Sequence, residues 1–551
     1  MTFFGDNWGS LSLLMWTKDC LFSLRNPAIS DMFSYPYDRN IVFPASPANE
    51  ILAAFLQLFL GPVATLNILM LLSYVLSGFF AFLLLNSLTR NSIASFIGGS
   101  IFAFSTPHLF DNLYNTSITY FLPLYVLAFA RIRTVASKKN ILLLFVSAIG
   151  LLSSSFYYAA YLGLLFFLLQ FSYLIITRCD CRTLALVLAV NATAAGLVFP
   201  IYFNPFIVSD SEVRNALATY GAKGALAHST DLLSYILPSH SHPLLAQPLK
   251  KYLSDIYVKA GLERGGSVYL GASGVTLLIF YILRVREKMK RFWLLLLVYS
   301  FLFSLGPVLR ICGNSVFTGL PYLLFQHIPF LNYLRAPGRI YYLTSLALAV
   351  TAAYSLREID GKLKKRRKRI ILSSIIFFLI LFENLYVFPY TTQNTSVPRF
   401  YHELQESKET FAIIQLPPGG FNLNRFFYYS YFSGKKTTSP LEVRPSQQSL
   451  EFVRKNRLLS VLMDYDYFAS MEFSVDPIAL DYSNEIDEFK NLNIRYVILH
   501  KNNICSNYLV NTLEEDQMIV RHYEQFLASL PFLKVYEDED VVVYSIAEGG
   551  I

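Results

Sequence analysis

The chain has 551 residues, of which 54% are hydrophobic and 15% are charged, and its mean hydropathy is +0.41. This composition excludes an ordinary soluble globular protein and predicts a polytopic membrane protein. The net charge of +8 does not indicate a nucleic-acid partner, because residues 390–551 contain 14 Lys and Arg against 22 Asp and Glu. The basic excess lies instead in short connections and indicates orientation in a membrane.

Ten apolar segments separated by polar connections make up the middle of the chain. We predict that each forms a membrane-spanning helix, because a long apolar segment is most stable in the hydrocarbon core. The predicted spans are residues 64–86, 92–110, 117–131, 140–155, 157–177, 183–204, 267–283, 292–309, 337–357 and 370–389.

The basic residues are concentrated in every second connection between these spans. These connections contain Arg90, residues 131–139, Arg178 with Arg182, residues 284–291 and residues 362–369. The positive-inside rule therefore places all five in the cytoplasm. The segments left on the outer side are residues 1–62, 105–118, 205–266, 310–336 and 390–551.

This pattern of spans and connections divides the chain into three parts. We assign residues 1–62 to a first extracytoplasmic loop with amphipathic helices, residues 63–389 to a transmembrane helical domain, and residues 390–551 to an extracytoplasmic α/β domain. The chain begins outside without a preceding span. We therefore expect either a first helix missing from this sequence or a short N-terminal tail that is translocated.

The α/β assignment of the last part depends on short β-branched runs. We predict strands at residues 411–417, 494–500, 533–538 and 541–546, and a helix over residues 509–530. The acidic sequence EDED between the last two strands predicts a β-hairpin.

Several stretches along the chain share their order with a known family. They are GDNWGSLSLLMWTKD with the downstream FSYPYDRNIVFPASP, then GGSIFAFSTPHLFDNLYNTSITYFLPLYVLAFAR, the pair FSLGPVLRICG and HIPFLNYLRAPGR, and finally NIRYVILH. In these features the chain resembles membrane glycosyltransferases of the GT-C architecture, including YfhO-like and dolichyl-phosphate-mannose-type transferases. The resemblance implies transfer of a sugar from a polyprenyl-phosphate carrier to a glycan, lipid or protein acceptor on the outer face. It also implies that an acid in the first outer loop acts as a base or as a ligand of a divalent cation.

Asp6 is the first candidate for that acid. In the enzymes that the chain resembles, such a carboxylate lies where the acceptor hydroxyl meets the anomeric carbon, and it accepts the hydroxyl proton as the sugar leaves its phosphate. In the alternative interpretation, Asp6 forms an Asx turn and caps the helix that follows.

Asp111 is the second candidate acid, with His108 and Asn112 beside it in an outer loop. If this segment is helical, the three side chains share a face and could orient the acceptor or bind a metal ion together with Asp6. The alternative is that they satisfy the ends of neighbouring helices.

Arg335 and Arg339 depart from the charge rule, because they lie at the outer end of a predicted span. Pro337 between them predicts an irregular loop in which the two guanidinium groups converge. Forked donors of this kind suit a phosphodiester, so we interpret the pair as the donor-phosphate site. The alternatives are a salt bridge to the acidic tail or contact with lipid phosphates.

Two other classes of function remain open at this stage. One is a lipid-linked glycan flippase or transporter, and the other is a non-catalytic membrane scaffold of envelope polysaccharide assembly. The sequence contains no P-loop, HExxH or GxSxG motif, so ATP-driven transport and hydrolase chemistry lose their usual support. Loss of sugar transfer with retained export would separate the classes.

Overall fold

The fold is known from a computed structural model. It describes residues 6–37, 40–42, 46–110, 114–163, 181–208, 211–239, 242–249, 268–385, 394–418, 420–439, 447–470, 481–502, 505–506, 509–510 and 513–546. Helices dominate up to residue 383, and a mixed sheet flanked by helices follows.

The α-helices of the first part pack into one bundle with the chain's N-terminal helix at its edge. They are α1 (Asp6–Phe22), α2 (Pro47–Leu56), α3 (Pro62–Thr89), α4 (Ser92–Ala103), α5 (Thr106–Phe110), α6 (Phe121–Thr134), α7 (Lys138–Ser154), α8 (Cys181–Val208), α9 (Ser211–Ala227), α10 (Ala272–Arg284), α11 (Lys290–Ser304), α12 (Leu323–Gln326), α13 (Tyr341–Lys362) and α14 (Arg366–Glu383). Short strands β1 (Ile29–Ser30), β2 (Asn40–Ile41), β3 (Val308–Ile311) and β4 (Asn314–Thr318) form two hairpin pairs.

Helix α13 is the centre of the bundle. Every residue from Tyr341 to Leu356 is buried, and α4, α10 and α11 pack around the helix. Glycine permits the closest of these approaches: a Cβ atom at Gly98 of α4 would lie 2.9 Å from the carbonyl oxygen of Ala349. Small residues at such crossings let helix backbones come together.

Three of the five basic connections lie near one another at one end of the bundle, which we call the cationic end. There the amide of Asn91 donates to the carboxylate of Asp360 over 2.9 Å, and the ammonium of Lys362 lies 5.5 Å from the ring centroid of Phe280. These contacts join the ends of α3, α10 and α13. The ends of these three helices therefore lie together, and a common side for all five basic connections stays a prediction.

The other helix ends meet at the opposite end of the bundle. The hydroxyl of Thr106 donates to the side chain of Asn384 over 2.8 Å, and the imidazole of His242 lies 2.7 Å from the carbonyl oxygen of Phe382. The segments before α5, after α9 and after α14 are thus neighbours.

Among the described residues, two helices are long and apolar enough to cross a membrane, Pro62–Thr89 and Cys181–Asn204. On α3, Leu71, Val75 and Phe79 form an exposed apolar stripe, and such a surface fits contact with lipid. Helices also lie in eight other predicted spans, at least in part, but several have only 12 to 17 residues. At 1.5 Å per residue these reach roughly 18–26 Å, short of a 30 Å hydrocarbon core. The count of ten crossings stays a prediction.

The last part of the chain is built on a five-stranded sheet. Its strands are β5 (Ala412–Leu416), β6 (Lys436–Thr437), β7 (Ile494–His500), β10 (Leu533–Glu537) and β11 (Val541–Ser545), and a separate pair is β8 (Cys505–Ser506) with β9 (Leu509–Val510). The order in the sheet is β10-β11-β7-β5-β6. Strand β5 is parallel to β6 and β7, whereas β11 is antiparallel to both β7 and β10. The helices are α15 (Arg399–Glu406), α16 (Gly420–Ser433), α17 (Gln447–Lys455), α18 (Arg457–Leu462), α19 (Tyr465–Ala469), α20 (Ser483–Asn491) and α21 (Leu513–Ala528).

The four predicted strands and the hairpin are confirmed. The helix predicted over residues 509–530 is correct in its body but wrong at its start, because Leu509–Val510 form a strand and the helix begins at Leu513. The acidic residues Glu514, Glu515 and Asp516 then occupy its first turn, where the helix dipole favours them.

One face of the sheet packs against the N-terminal helix. Trp8 and Leu11 of α1 share a buried cluster with Ile413, Ile498 and Val543. The same cluster includes residues of α3 and of the loop near residue 114. Residues 1–62 and the sheet therefore share a core, while independent folding of residues 390–551 and the three domain boundaries stay predictions.

Candidate functional site

The arginine pair lies in an irregular loop at the end of the bundle opposite the cationic end. Two 3₁₀ turns, Leu331–Tyr333 and Pro337–Ile340, bring the chain into α13. Arg335 lies between the turns and Arg339 within the second. Proline at the first position of that turn restricts the backbone and starts the helical path.

Both arginines contact Tyr157, which lies far away in the sequence. The Nε of Arg335 donates to the hydroxyl of Tyr157 over 3.3 Å. The guanidinium carbon of Arg339 lies 4.2 Å from the centroid of the same ring. Arg335 also lies 4.8 Å above the ring of Tyr220. The two cationic groups therefore converge on one aromatic side chain, and both arginines are half-buried.

Glycines in α9 let this helix approach the arginine loop. A Cβ at Gly224 would lie 2.5 Å from the Cβ of Arg335, and a Cβ at Gly221 would lie 2.2 Å from the carbonyl oxygen of Asn332. Tyr220 directly precedes Gly221 in the sequence and reaches Arg335 from the same helix. Replacing either glycine would push α9 and the loop apart.

Tyr157 lies where the chain changes direction. Ser155 has an extended backbone that ends α7, and a π-helical turn over Tyr158–Leu162 follows. Single π-turns of this kind often occur at functional sites. The ring of Phe156 contacts Tyr202 of α8 at 5.5 Å, and the ring of Tyr158 contacts Tyr342 of α13 at 5.6 Å.

The structure describes the two predicted acids, Asp6 and Asp111, only in part. Asp6 is the first residue of α1, and its side chain lies outside the described residues. Asp111 and Asn112 also lie outside them. A carboxylate in the first turn of α1 suits the helix dipole, so the capping and catalytic interpretations of Asp6 both remain.

His108 is fully buried and holds two backbone segments together. Its Nδ1 lies 2.8 Å from the carbonyl oxygen of Ala103, and its Nε2 lies 2.7 Å from that of Ser117. The hydroxyl of Ser73 is 3.1 Å from Nε2. Both ring nitrogens are thus already engaged, which favours a structural role over metal binding and positions the loop that leads to Asp111.

Glu50 of α2 is a buried acid that the sequence analysis missed, and it is 3% exposed. Its Oε1 accepts hydrogen bonds from the backbone N–H of Ser46 over 2.8 Å and from the hydroxyl of Tyr114 over 2.9 Å. It also acts electrostatically on Tyr202, whose ring contacts Phe156 beside Tyr157. The sequence feature that could have indicated this residue is a single acid within the apolar sequence PANEILAAFL. The bond from the N–H of Ser46 to Glu50 closes the start of α2 from one side, since the Ser46 side chain makes no capping hydrogen bond in return.

Glu383, an acid inside the last predicted span, has a structural partner. Its carboxylate accepts hydrogen bonds from the backbone N–H and the hydroxyl of Ser273, at 3.1 to 3.2 Å. It therefore caps the start of α10, which has Gly271 in a left-handed conformation before it. This contact explains the acid without a catalytic role.

No group of three or more His, Cys, Asp or Glu side chains that could hold a metal ion occurs among the described residues. Asp6 and Asp111 are outside that search. A divalent cation bound by Asp6, Asp111 or His108 therefore stays a prediction.

The fold and the site together define a largely helical protein with an arginine pair at one end of its bundle and, in the part of the chain that the structure describes, two membrane-length helices. The chain belongs to the family described as Domain of unknown function (DUF6311), whose model matches residues 26–381. The assignment to YfhO-like transferases stays a prediction. No curated protein matches the chain.

Two solved structures are similar to this chain at 10% sequence identity and a TM-score of 0.46. One is ArnT from Cupriavidus metallidurans in the apo state, where the match covers 98% of this chain and 93% of that one. The other is ArnT from the same organism bound to undecaprenyl phosphate, where the match covers 97% of this chain and 93% of that one.

Proposed function

We propose that the protein is a membrane glycosyltransferase that moves a sugar from a polyprenyl-phosphate donor to a glycan, lipid or protein acceptor on the extracytoplasmic face. The observation that carries this proposal is the convergence of Arg335 and Arg339 on Tyr157. Two guanidinium groups held at one place provide forked donors for phosphate oxygens. Their place at the end of the bundle away from the basic connections fits a donor presented on the outer side.

The two arginines and the acid have different roles in the transfer. Asp6, or Asp111 in its place, accepts the proton of the acceptor hydroxyl as its oxygen bonds to the anomeric carbon. The bond from that carbon to the phosphate oxygen breaks, and the lipid phosphate departs with the electron pair. Arg335 and Arg339 hold this phosphate and stabilise the charge that develops on it. His108 and Asn112 are the auxiliary residues on the acceptor side, where they help to orient the acceptor.

The two roles predict different kinetic effects in the purified full-length protein. Asp6→Asn should leave the Kd for a C55 polyprenyl phosphate within about twofold and lower turnover by about 10² to 10⁴. Arg335→Ala and Arg339→Ala should weaken donor binding and slow transfer. Lys replacements should rescue only part of the loss, because an ammonium cannot reproduce the fork. The measurements are equilibrium binding of the lipid phosphate and transfer from a polyprenyl-phosphate hexose.

Each of the main alternatives predicts a different result. If Asp6→Asn transfers sugar at the unmutated rate, Asp6 only caps α1 and Asp111 becomes the leading base. Donor binding and lipid export without any transfer would instead support a flippase. Chelation of divalent cations should abolish transfer if a metal ion at Asp6, Asp111 or His108 is required.

A further inference from the structure

We propose that Tyr157 is the positioning residue of the arginine pair: it holds both guanidinium groups in place before the lipid phosphate binds. This inference rests on the proposed function, because it assigns a ligand to the pair. Tyr157 lies 178 positions before Arg335, so no local sequence pattern connects the two residues.

The two contacts that Tyr157 makes use different parts of the arginines. Its hydroxyl accepts from Nε of Arg335 over 3.3 Å, which occupies one of the five N–H donors of that group. The terminal nitrogens of Arg335 keep their own donors for a phosphate. Arg339 lies over the ring face at 4.2 Å. A cation–π contact of this kind attracts the guanidinium without consuming an N–H. Tyr157 can therefore orient Arg335 through its hydroxyl and Arg339 through its ring face, and the contact with Arg335 uses Nε rather than the terminal nitrogens of that group.

Tyr157 is itself held firmly by its neighbours in the sequence. Phe156 packs on Tyr202 of α8, and Tyr158 packs on Tyr342 of α13 and donates to the carbonyl oxygen of Thr116. Anchors on either side fix the backbone at Tyr157. A fixed side chain lowers the entropic cost of ordering two long, flexible arginines when the ligand arrives.

Tyr220 provides a matched comparison within the same site. Tyr220 contacts the pair through its ring, which lies 4.8 Å from the guanidinium carbon of Arg335. A phenylalanine at either position would keep the ring. Both substitutions keep a ring beside the pair, but Tyr157→Phe removes a hydroxyl that accepts from Arg335.

The experiment is a double-mutant cycle on the full-length protein in detergent, with binding of a C55 polyprenyl phosphate as the measurement. Tyr157→Phe should weaken binding about tenfold, the effect expected from one hydrogen bond to a charged group. The same change should cost less than about twofold when Arg335 is already alanine, but should keep its tenfold effect when Arg339 is alanine. Tyr220→Phe should change binding by less than about twofold. Equal thermal midpoints of Tyr157→Phe and the unmutated protein would show that folding is intact.

Three results would contradict the inference. If Tyr157→Phe weakens binding tenfold in the Arg335→Ala background as well, the hydroxyl contacts the phosphate directly and does not act through Arg335. If Tyr157→Phe binds like the unmutated protein, the hydroxyl has no positioning role. If the unmutated protein does not bind the lipid phosphate, the proposed function fails, and the inference fails with it. These outcomes are distinguishable because only the last one is seen before any mutation is made.

Discussion

At the scale of single residues, the last part of the chain contains a buried polar network beneath its sheet. His500 ends β7, and its Nε2 lies 3.0 Å from the hydroxyl of Tyr401. Tyr401 also accepts a hydrogen bond from the amide of Gln415 over 2.8 Å, and the rings of Tyr429 and Phe426 stack on the imidazole. Burial, with a smaller contribution from the nearby Arg425, lowers the pKa of His500 well below its usual value of 6.5.

This depressed pKa predicts how stability depends on pH. Above about pH 6.5 neither the folded nor the unfolded state binds a proton at His500, so this group contributes no pH dependence. As the pH falls below about 6.5, His500 binds a proton in the unfolded chain but stays neutral in the folded chain. The free energy of unfolding should then decrease, by up to about 1.4 kcal/mol per pH unit. Urea unfolding of the sheet region at pH 8, 6.5 and 5 measures this slope.

A pair of histidine variants isolates the effect. His500→Gln should lower stability at all pH values but flatten its decline between pH 6.5 and 5. His402→Gln, at an exposed position on α15, is the matched control and should keep the slope of the unmutated protein. An unchanged slope in His500→Gln would show that other groups cause the acid sensitivity.

At the scale of helices and strands, local sequence patterns predicted much of what forms. The β-branched runs of β5, β7, β10 and β11 were recognisable because each strand has its own alternation and turn signals. Strand β6 was missed, since Lys436–Thr437 are only two residues whose pairing with β5 depends on tertiary contacts. The short helices of the bundle have lengths that hydropathy did not reveal, because apolar loops and apolar helix ends look alike in a hydropathy window.

The crossing of α4 with α13 provides a test at this scale. A Cβ at Gly98 would lie 2.6 Å from the Leu85 side chain and 2.9 Å from the backbone oxygen of Ala349, so Gly98→Ala must separate the helices. We expect a loss of about 1–3 kcal/mol of stability, seen as a lower thermal midpoint in detergent. Gly361→Ala, in α13 with nothing within 4 Å, should be neutral or slightly stabilising. Equal midpoints for both variants would mean that the crossing tolerates a methyl group.

At the scale of the whole molecule, the two ends of the bundle differ in the residues they contain. The exposed basic run of residues 362–369 lies at the cationic end, whereas Arg335, His108, Glu383 and the sheet lie toward the other end. Helices that run in alternate directions place every second connection at the same end. The positive-inside rule then predicts that the cationic end faces the cytoplasm.

Cysteine labelling tests this orientation directly. In a protein whose five native cysteines are replaced by serine, Lys365→Cys should not react with a membrane-impermeant reagent in intact cells and should react after lysis. Asn394→Cys, at an exposed position predicted outside, is the control and should react in both cases. Labelling of Lys365→Cys in intact cells would overturn the topology.

The amino-acid sequence alone determined the strands β5, β7, β10 and β11, the presence of helices in the apolar segments that the structure describes, and which connections are basic, because hydrophobic periodicity and charge act over a few residues. It also placed Arg335 and Arg339 in an irregular loop, since Pro337 restricts the backbone locally. Only the tertiary structure decided that both arginines meet Tyr157 and that Glu50 is buried beside Tyr114. Such contacts join residues far apart in the chain, and which helices become neighbours depends on packing of the whole bundle rather than on any local pattern.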